Sequence, residues 1–267
     1  MPFLTRFTLV LVAAALLAAC ATSPTGRRQL MLVSPEDAVN ASKQAYVQML
    51  APLEKAGKID SDPALTARVR RITDRLVAVA VNMFPATRNW EWSVKVIDDP
   101  KTVNAWCMAG GRMAVYTGLI QQVDPTDDEL AQVMGHEIAH ALANHTAEKM
   151  SVALASMLGV TAVGMAAGEE HRNTALAGAA LAAKLAIELP NSRTAEAEAD
   201  RIGIELAARA GYDPRAAVSL WRKMMKVGGG RVPELLSTHP APRNRIRALQ
   251  ALVPKMQPLY AAARQRG

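Results

Sequence analysis

Residues 134–141 read Met-Gly-His-Glu-Ile-Ala-His-Ala and contain two of the five histidines in this 267-residue chain. On an α-helix, residues four apart differ in direction by about 40°, so His136 and His140 project from one face. Two imidazoles on one face can share a metal ion, and Glu137 lies beside them. The pattern predicts one zinc ion per chain, with Glu137 taking a proton from a water molecule. The alternative is two histidines satisfied by ordinary hydrogen bonds.

A catalytic zinc needs a third protein ligand, and residues 194–200 offer one. Glu196 and Asp200 are four residues apart and therefore share one face of a helix. We expect Glu196 to bind the metal and Asp200 to accept a hydrogen bond from a ligand histidine, which would fix the tautomer of that histidine. The alternative is an exposed acidic face.

Other residues near the predicted metal ligands are expected to have structural roles. Glu198 points away from the face that carries the predicted ligands and is expected to be a solvent-exposed charge. Gly203 and Ala207 are small and would let their helix approach the histidine helix closely. His145 is expected to pack or hydrogen-bond on the far side of its helix, and His171, in a polar interruption, is expected to be exposed.

His239 differs from the other histidines because it lies between a glycine-rich loop, residues 228–230, and Pro240. A loop side chain in such a segment can contribute to a site formed by distant parts of the chain. Its position leaves a functional and a structural role equally open.

Polar residues followed by proline mark three helix starts, because proline suits the first helical position. These starts are Ser34-Pro35, Asp62-Pro63 and Asp213-Pro214. A capping box of Thr126 and Glu129 opens the histidine helix, which is expected to run to about residue 150. A further helix is expected over residues 191–210, so the chain should be mainly helical.

Two β segments precede the histidine helix. Residues 90–97 alternate in polarity and are rich in strand-forming types, and residues 104–117 contain Gly110-Gly111 before a second strand-like run. The two segments are expected to form a small antiparallel sheet. The predicted fold class is therefore α+β, mainly helical, with one small sheet.

Residues 151–189 are dominated by Ala, Gly, Leu and Val. The first part, residues 151–168, is uncharged and long enough to be weighed as a membrane span. Its Ala and Gly content makes it only weakly hydrophobic. This favours a packed or lid-like helical hairpin over contact with a membrane surface, and favours both over a span.

The N-terminus indicates export. Residues 1–19 join a positive charge to an apolar run that is too short to span a bilayer, which is typical of a signal peptide. The run ends Leu-Ala-Ala-Cys, as in a bacterial lipobox, and Cys20 is expected to be lipidated; an ordinary signal peptide is the alternative. Residues 20–33 would form the tether and residues 34–267 a single domain. Ala21 after the cysteine favours an outer membrane, with the protein facing the periplasm.

Composition narrows the functional class. The chain is 50% hydrophobic and 21% charged, which is typical of a globular protein, and only 4% aromatic, so its core should be aliphatic. The formal net charge of +7 could serve an anionic partner. Lys and Arg are spread along the chain, however, which favours a solvated basic surface and argues against nucleic acid as a partner.

Taken together, the motifs resemble the zinc metallopeptidase family that includes CAAX prenyl proteases, HtpX and BepA. The matching residues are Asn104-Ala105-Trp106, Gly110-Gly111, His136-Glu137-x-x-His140, Ser192-Arg193-x-x-Glu196-x-x-x-Asp200, Thr238-His239-Pro240 and Arg245. With the lipobox, the chain looks like the small outer-membrane lipoproteins of that family, close to LoiP.

The resemblance implies a zincin-type domain in which residues 104–115 form an edge strand beside the active-site cleft. An extended substrate would pair with this strand near Asn104, Gly110 and Gly111. It also implies that His239 either stabilises the oxyanion or plugs the open position of the zinc, with Arg245 supporting this region.

These observations predict a membrane-anchored zinc metalloendopeptidase that hydrolyses misfolded or stalled cell-envelope proteins. The expected partners are unfolded or misfolded envelope polypeptides as substrates, the membrane through the lipid anchor, and the outer-membrane assembly machinery or a homologous protease. The competing interpretation is a zinc-stabilised assembly factor or holdase without catalysis. A permanent fourth ligand from His239 would favour it, whereas Glu137 argues against it because a structural zinc site has no use for that carboxylate.

Overall fold

The computed structural model describes residues 20–166, 192–227, 233–239 and 244–266. The described residues form two compact units. One contains residues 20–38 and 146–166, and the other contains residues 39–145 with the described residues from 192 onward. Every residue predicted to take part in catalysis, metal binding or substrate binding belongs to the larger unit.

Helices account for most of the described residues. Their bounds are α1 (Pro35–Lys55), α2 (Pro63–Met83), α3 (Thr117–Val123), α4 (Asp127–Leu142), α5 (His145–Ala166), α6 (Arg193–Arg209), α7 (Ala216–Met224), α8 (Glu234–Thr238) and α9 (Arg245–Arg264). The strands are β1 (Cys20–Thr22), β2 (Arg28–Leu30), β3 (Ser93–Ile97), β4 (Ala105–Cys107) and β5 (Arg112–Tyr116). The predicted α+β, mainly helical fold is confirmed.

The helix starts predicted at Ser34, Asp62 and Thr126 carry the caps that the sequence indicated. The side chains of Ser34 and Asp62 each accept a hydrogen bond, of 3.0 Å, from the backbone N–H three residues on. Thr126 and Glu129 form a reciprocal capping box at the start of α4. These bonds satisfy backbone donors that have no partner inside the helix and so define where it begins.

The sheet of the larger unit has the strand order β3-β5-β4. β4 and β5 are antiparallel, with Trp106 opposite Ala114, whereas β3 and β5 are parallel, with Lys95 opposite Ala114. The prediction of a purely antiparallel sheet is therefore wrong. Residues 104–117 are two strands that turn back at Gly110-Gly111, so the second strand runs in the same direction as β3.

The histidine helix is shorter than predicted. α4 ends at Leu142, and α5 begins at His145, after Asn144 with a φ of 56°. Asparagine tolerates this left-handed conformation better than most residues. The break takes His145 out of the helical register of α4, so its side chain is not held opposite His136.

α4 lies in the core of the larger unit, and every residue from Glu129 to Leu142 is buried. The helix packs against α6, α2, α7 and β4. Its buried apolar residues include Leu130, Met134 and Ile138, none of which is exposed to solvent. Burial on all sides fixes the helix that carries the histidines, because moving it would return this apolar area to water.

In the smaller unit, β1 and β2 form an antiparallel pair in which Ala21 lies opposite Gln29. Between the strands, Arg27 makes two bonds of 2.6 Å to the carboxylate of Glu148 on α5. The segment predicted as a tether therefore contains a short hairpin. Cys20 begins β1, and its lipidation, like the predicted limits of tether and domain, stays a prediction.

Among the helices in the described ranges, none is both long and apolar enough to cross a membrane. The predicted signal peptide, His171 and most of the apolar segment 151–189 lie outside the described residues. Residues 151–166 belong to α5. The predicted lid or membrane contact therefore stays a prediction.

Candidate active site

Four buried side chains from three helical segments converge in the larger unit. His136 and His140 come from α4, Glu196 from the first turn of α6, and His239 from the C-terminal end of α8. The two α4 imidazoles approach to 3.1 Å between their Nε2 atoms, and the Glu196 oxygens lie 3.3 and 3.4 Å from these same atoms. One ligand atom from each of the four residues lies within 4.8 Å of all the others.

The chemistry of this donor set fits zinc. Imidazole nitrogens with a carboxylate oxygen are typical zinc ligands, and hydrolytic sites use three protein ligands with one position open. Burial raises the pKa of Glu196, but hydrogen bonds from His136, His140 and His239 outweigh it and hold the pKa well below its usual range. The site therefore presents a charged carboxylate among imidazoles, as a divalent cation requires.

Asp200 lies behind His136, as the spacing in the sequence predicted. Its Oδ1 is 3.1 Å from His136 Nδ1, which leaves the Nε2 atom facing the ligand cluster. Burial and the nearby Arg245 lower the pKa of His136, whereas hydrogen bonds to Asp200 and Glu196 raise it, to about 9 overall. Zinc binding at His136 therefore competes with protonation of its imidazole.

Arg245, the first residue of α9, joins the carboxylates of the site. Its Nη2 is 2.5 Å from Asp200 Oδ1 and its Nη1 is 3.4 Å from Glu196 Oε2. The guanidinium carbon lies 3.6 Å from the centre of the Trp221 ring, a cation–π contact. Arg245 is 2% exposed, so these carboxylates balance a buried positive charge.

Glu137 is placed to act on a molecule in the cleft. Its Oε1 lies 3.6 Å from His239 Nε2 and, among the described side chains, has no hydrogen-bond partner. Burial raises the pKa of its carboxyl, although the positive charges of His239 and His136 oppose the shift. A cavity of about 20 Å³ is lined mainly by apolar side chains, with Glu137, His136 and His239 among its polar lining residues. Its volume accommodates a single water-sized molecule.

The structure gives His145 a hydrogen-bonding role, one of the two that the sequence predicted, and adds Glu198, which the sequence did not indicate. His145 Nδ1 lies 2.8 Å from His140 Nδ1, and His145 Nε2 lies 3.1 Å from Glu198 Oε2. Glu198 is 4% exposed, so the prediction of a solvent-side charge is wrong. The short break at Asn144 brings the start of α5 against α6 and encloses this carboxylate. The asparagine before His145 was the signal in the sequence that could have indicated the break.

β4 lies at the edge of the sheet and packs against α4, the helix that carries Glu137. In the described part of the chain, β5 is the strand that pairs with it. Burial raises the pKa of the Cys107 thiol on β4, and the negative charge of Glu137 raises it further. β4 is thus an edge strand beside the helix that carries Glu137. β5, the second half of the predicted edge strand, lies between β3 and β4, so the prediction is wrong for residues 112–115.

The three residues predicted to bind substrate shape this edge strand. Asn104 is buried, and its Oδ1 accepts a hydrogen bond of 2.9 Å from the backbone N–H of Ala105. Gly110 and Gly111 have φ values of 89° and 86° in the turn between β4 and β5. They are not part of the ligand cluster, and contact with substrate stays a prediction for all three.

A pair of histidines with a glutamate between them, on the central helix of a mainly helical domain, places the protein among the zincin-type metallopeptidases. The chain belongs to peptidase family M48, whose signature matches residues 63–253. The family confirms the predicted metallopeptidase class, and the family together with the ligand cluster confirms the predicted zinc cofactor.

Named relatives agree with this assignment. The chain is 34% identical over 241 residues to the metalloendopeptidase OMA1, mitochondrial, of Bos taurus, a match that covers 86% of this chain and 45% of the relative. It is 39% identical over 158 residues to the mitochondrial metalloendopeptidase OMA1 of Arabidopsis thaliana, covering 59% of this chain and 31% of the relative. It is 27% identical over 214 residues to the beta-barrel assembly-enhancing protease of Escherichia coli, covering 78% and 42%. The chain thus spans less than half the length of each of these three relatives.

Proposed function

We propose that the protein is a zinc metalloendopeptidase that hydrolyses peptide bonds in misfolded or stalled proteins of the cell envelope. The observation that carries this proposal is the convergence of His136, His140 and Glu196 next to the Glu137 carboxylate. A purely structural metal site would gain nothing from burying an unpaired carboxylate beside the metal ligands, because such burial is destabilising.

His136, His140 and Glu196 would hold the zinc, which when bound polarises the scissile carbonyl and makes a water molecule more acidic. Glu137 accepts a proton from the attacking water as the water oxygen bonds to the carbonyl carbon. The same carboxyl then delivers that proton to the amide nitrogen as the carbon–nitrogen bond breaks. Asp200 orients His136 through Nδ1, and Arg245 keeps Asp200 in place.

The substrate is proposed to bind as an extended strand along β4. Main-chain hydrogen bonds from an edge strand give affinity that depends little on side chains, which suits an enzyme acting on unfolded segments of many proteins. The packing of β4 against α4, the helix that carries Glu137, supports this placement.

A location at the outer membrane, facing the periplasm, is proposed from the lipobox and from the bacterial relative. A lipid on Cys20 would anchor the protein there, as in the small lipoproteins of the family such as LoiP. The beta-barrel assembly-enhancing proteases of Escherichia coli and Vibrio cholerae support an envelope role through their names. The partners proposed with this location are misfolded envelope polypeptides, the membrane, and the outer-membrane assembly machinery or a homologous protease.

His239 is proposed to occupy the fourth position around the zinc in the resting enzyme. Its Nδ1 lies 3.0 Å from Glu196 Oε1 and 3.4 Å from His136 Nε2, inside the ligand cluster. Substrate binding would then have to displace it. A His239→Ala chain should keep its zinc and cleave faster than wild type, whereas lost cleavage with zinc retained would favour the oxyanion-stabilising role.

The same proximity of His239 favours a second candidate function, a structural zinc site in an assembly factor or holdase. In that case four permanent ligands would close the site, and His239→Ala would release zinc and unfold the domain. Metal content and casein cleavage, measured together, separate the two functions.

The decisive variant is Glu137→Gln, with Glu205→Gln on the outer part of α6 as the matched control. We expect Glu137→Gln to retain zinc and to lose cleavage by about 10²- to 10⁴-fold, the contribution of a general base. Glu205→Gln should cleave as wild type does, because Glu205 pairs with Arg209 away from the ligand cluster. Wild-type cleavage by Glu137→Gln would refute the assignment.

A further inference from the structure

We propose that His145 and Glu198 position His140 for metal binding, through a directed chain of hydrogen bonds that fixes which nitrogen of His140 faces the metal. The inference rests on the proposed zinc site. It makes His145 and Glu198 positioning residues, since neither lies in the ligand cluster.

The chain of contacts is continuous and buried. It runs from Glu198 Oε2 to His145 Nε2 over 3.1 Å, and from His145 Nδ1 to His140 Nδ1 over 2.8 Å. His145 and Glu198 are both 4% exposed, and His140 is 6% exposed. Buried polar groups at these distances are held in one arrangement, because losing a partner leaves a desolvated donor or acceptor.

One direction of these hydrogen bonds suits metal binding by His140. In it, His145 donates from Nε2 to Glu198 Oε2, and His145 Nδ1 accepts from His140 Nδ1. His140 is left with its lone pair on Nε2, the atom that lies 3.4 Å from Glu196 Oε1 and 3.1 Å from His136 Nε2.

The break between α4 and α5 is what makes this contact possible. On a continuous helix, a residue five positions after His140 would point about 140° away from it. Asn144, with its positive φ, ends that register and lets the His145 ring meet the His140 ring, with centroids 4.8 Å apart. The feature that shortens α4 therefore also supplies the support for the second metal ligand.

α6 would carry a supporting carboxylate for each of the two histidine ligands. Asp200 contacts His136 Nδ1 directly, while Glu198 reaches His140 Nδ1 through His145. Glu196 lies on the same helix and enters the ligand cluster itself. Of three carboxylates within five residues, two would thus fix the imidazole tautomers and the third would bind the metal. Hydrogen bonds from residues behind the ligands are a common way to orient metal-binding histidines.

The test is zinc affinity, measured by chelator competition on the purified protein, together with the visible spectrum after cobalt substitution. The variants are His145→Leu, which removes the acceptor, His145→Gln, whose amide oxygen can replace it, and Glu198→Gln. The matched control is Glu129→Gln, because Glu129 is also a buried carboxylate, 3% exposed, but is paired with Lys223 away from the ligands.

We expect His145→Leu to weaken zinc binding by about 10- to 100-fold and to alter the cobalt spectrum. His145→Gln should restore part of the affinity, Glu198→Gln should show a smaller loss, and Glu129→Gln should bind as wild type does. If His145→Leu fails to fold, Glu198→Gln and His145→Gln decide through the same two measurements.

Affinities within twofold of wild type, with an unchanged cobalt spectrum, would overturn the inference and leave the zinc site intact. A wild-type chain that binds no zinc would overturn the proposed function, and this inference with it. The two failures are therefore distinguishable in one titration series.

Discussion

Gly203 on α6 touches the backbone of His136 on α4. A Cβ built on Gly203 would lie 2.8 Å from the backbone nitrogen of His136 and 2.9 Å from its Cα. Gly135 meets Gly203 in the same way, since its own Cβ would lie 2.9 Å from the Gly203 carbonyl oxygen. The distance between the helix that carries the histidines and the helix that carries Glu196 is thus set by glycine.

Gly203→Ala should therefore push the two helices apart and weaken the ligand cluster. We expect a loss of about 1–3 kcal/mol in the free energy of unfolding, as for other overpacked cores, and weaker zinc binding. Gly159→Ala is the control, because a Cβ there meets nothing within 4 Å, and alanine in a helix should be neutral or stabilising. Denaturation and chelator competition on both variants check this. Equal stability and equal zinc affinity of the two variants would contradict the close contact between α4 and α6.

Gly111→Ala should distort the turn that orients the edge strand. Gly111 has a φ of 86°, and a Cβ there would lie 2.6 Å from the Trp92 ring. Gly57→Ala provides the comparison, since Gly57 also has a positive φ, of 66°, but open space around it. Both variants incur the backbone strain of about 1–2 kcal/mol, and Gly111→Ala should lose more because of the ring contact. Urea denaturation of the two, with peptide cleavage, would show the difference; identical losses would exclude the role of Trp92.

Arg245→Met should destabilise the metal-free domain strongly. It removes the buried cation between Asp200 and Glu196, and breaking a buried ion pair on one side typically costs about 3–5 kcal/mol. Arg209→Met, on the surface of the same unit, should change stability by no more than about 0.5 kcal/mol. Thermal or chemical denaturation in the presence of a chelator measures both. A near-neutral Arg245→Met would show that the guanidinium does not balance these charges.

The buried carboxylate of Glu129 should make stability depend on pH. Burial raises the pKa of Glu129, but hydrogen bonds from Lys223, Ser219 and Thr126 outweigh it and lower the pKa below its ordinary value of 4.5. Because the folded-state pKa is the lower one, the carboxylate stabilises the fold above the unfolded-state pKa. This contribution is lost as the pH falls through the folded-state value.

The difference in the free energy of unfolding between wild type and Glu129→Gln should therefore be constant near neutral pH and shrink as the pH falls below 4.5. Denaturant titrations of the metal-free proteins between neutral and acidic pH measure it. A difference that grows toward acid would contradict the sign of the shift.

The ligand set could be predicted because it depends on local geometry. A spacing of four residues places two side chains on one helix face whatever the rest of the fold does, and this holds for His136 with His140 and for Glu196 with Asp200. The close helix crossing followed from the same reasoning, since Gly203 lies on the Glu196 side of α6.

Contacts that depend on where the chain changes direction were not predicted. A single left-handed residue, Asn144, moved His145 from one side of a helix to another and enclosed Glu198, and periodicity carries no signal for such a break. The parallel pairing of β3 with β5 likewise depends on the turn at Gly110-Gly111, and two glycines within a strand-like run do not by themselves show that the run folds back on itself.

The most direct test of the proposed site is the zinc content of Glu196→Ala, compared with wild type and with Glu205→Ala on the same helix. Glu196 is fully buried in the ligand cluster, whereas Glu205 pairs with Arg209 near the surface. We predict that wild type and Glu205→Ala purify with bound zinc and cleave casein, and that Glu196→Ala loses both. Wild-type zinc content and cleavage in Glu196→Ala would contradict the proposed metal centre.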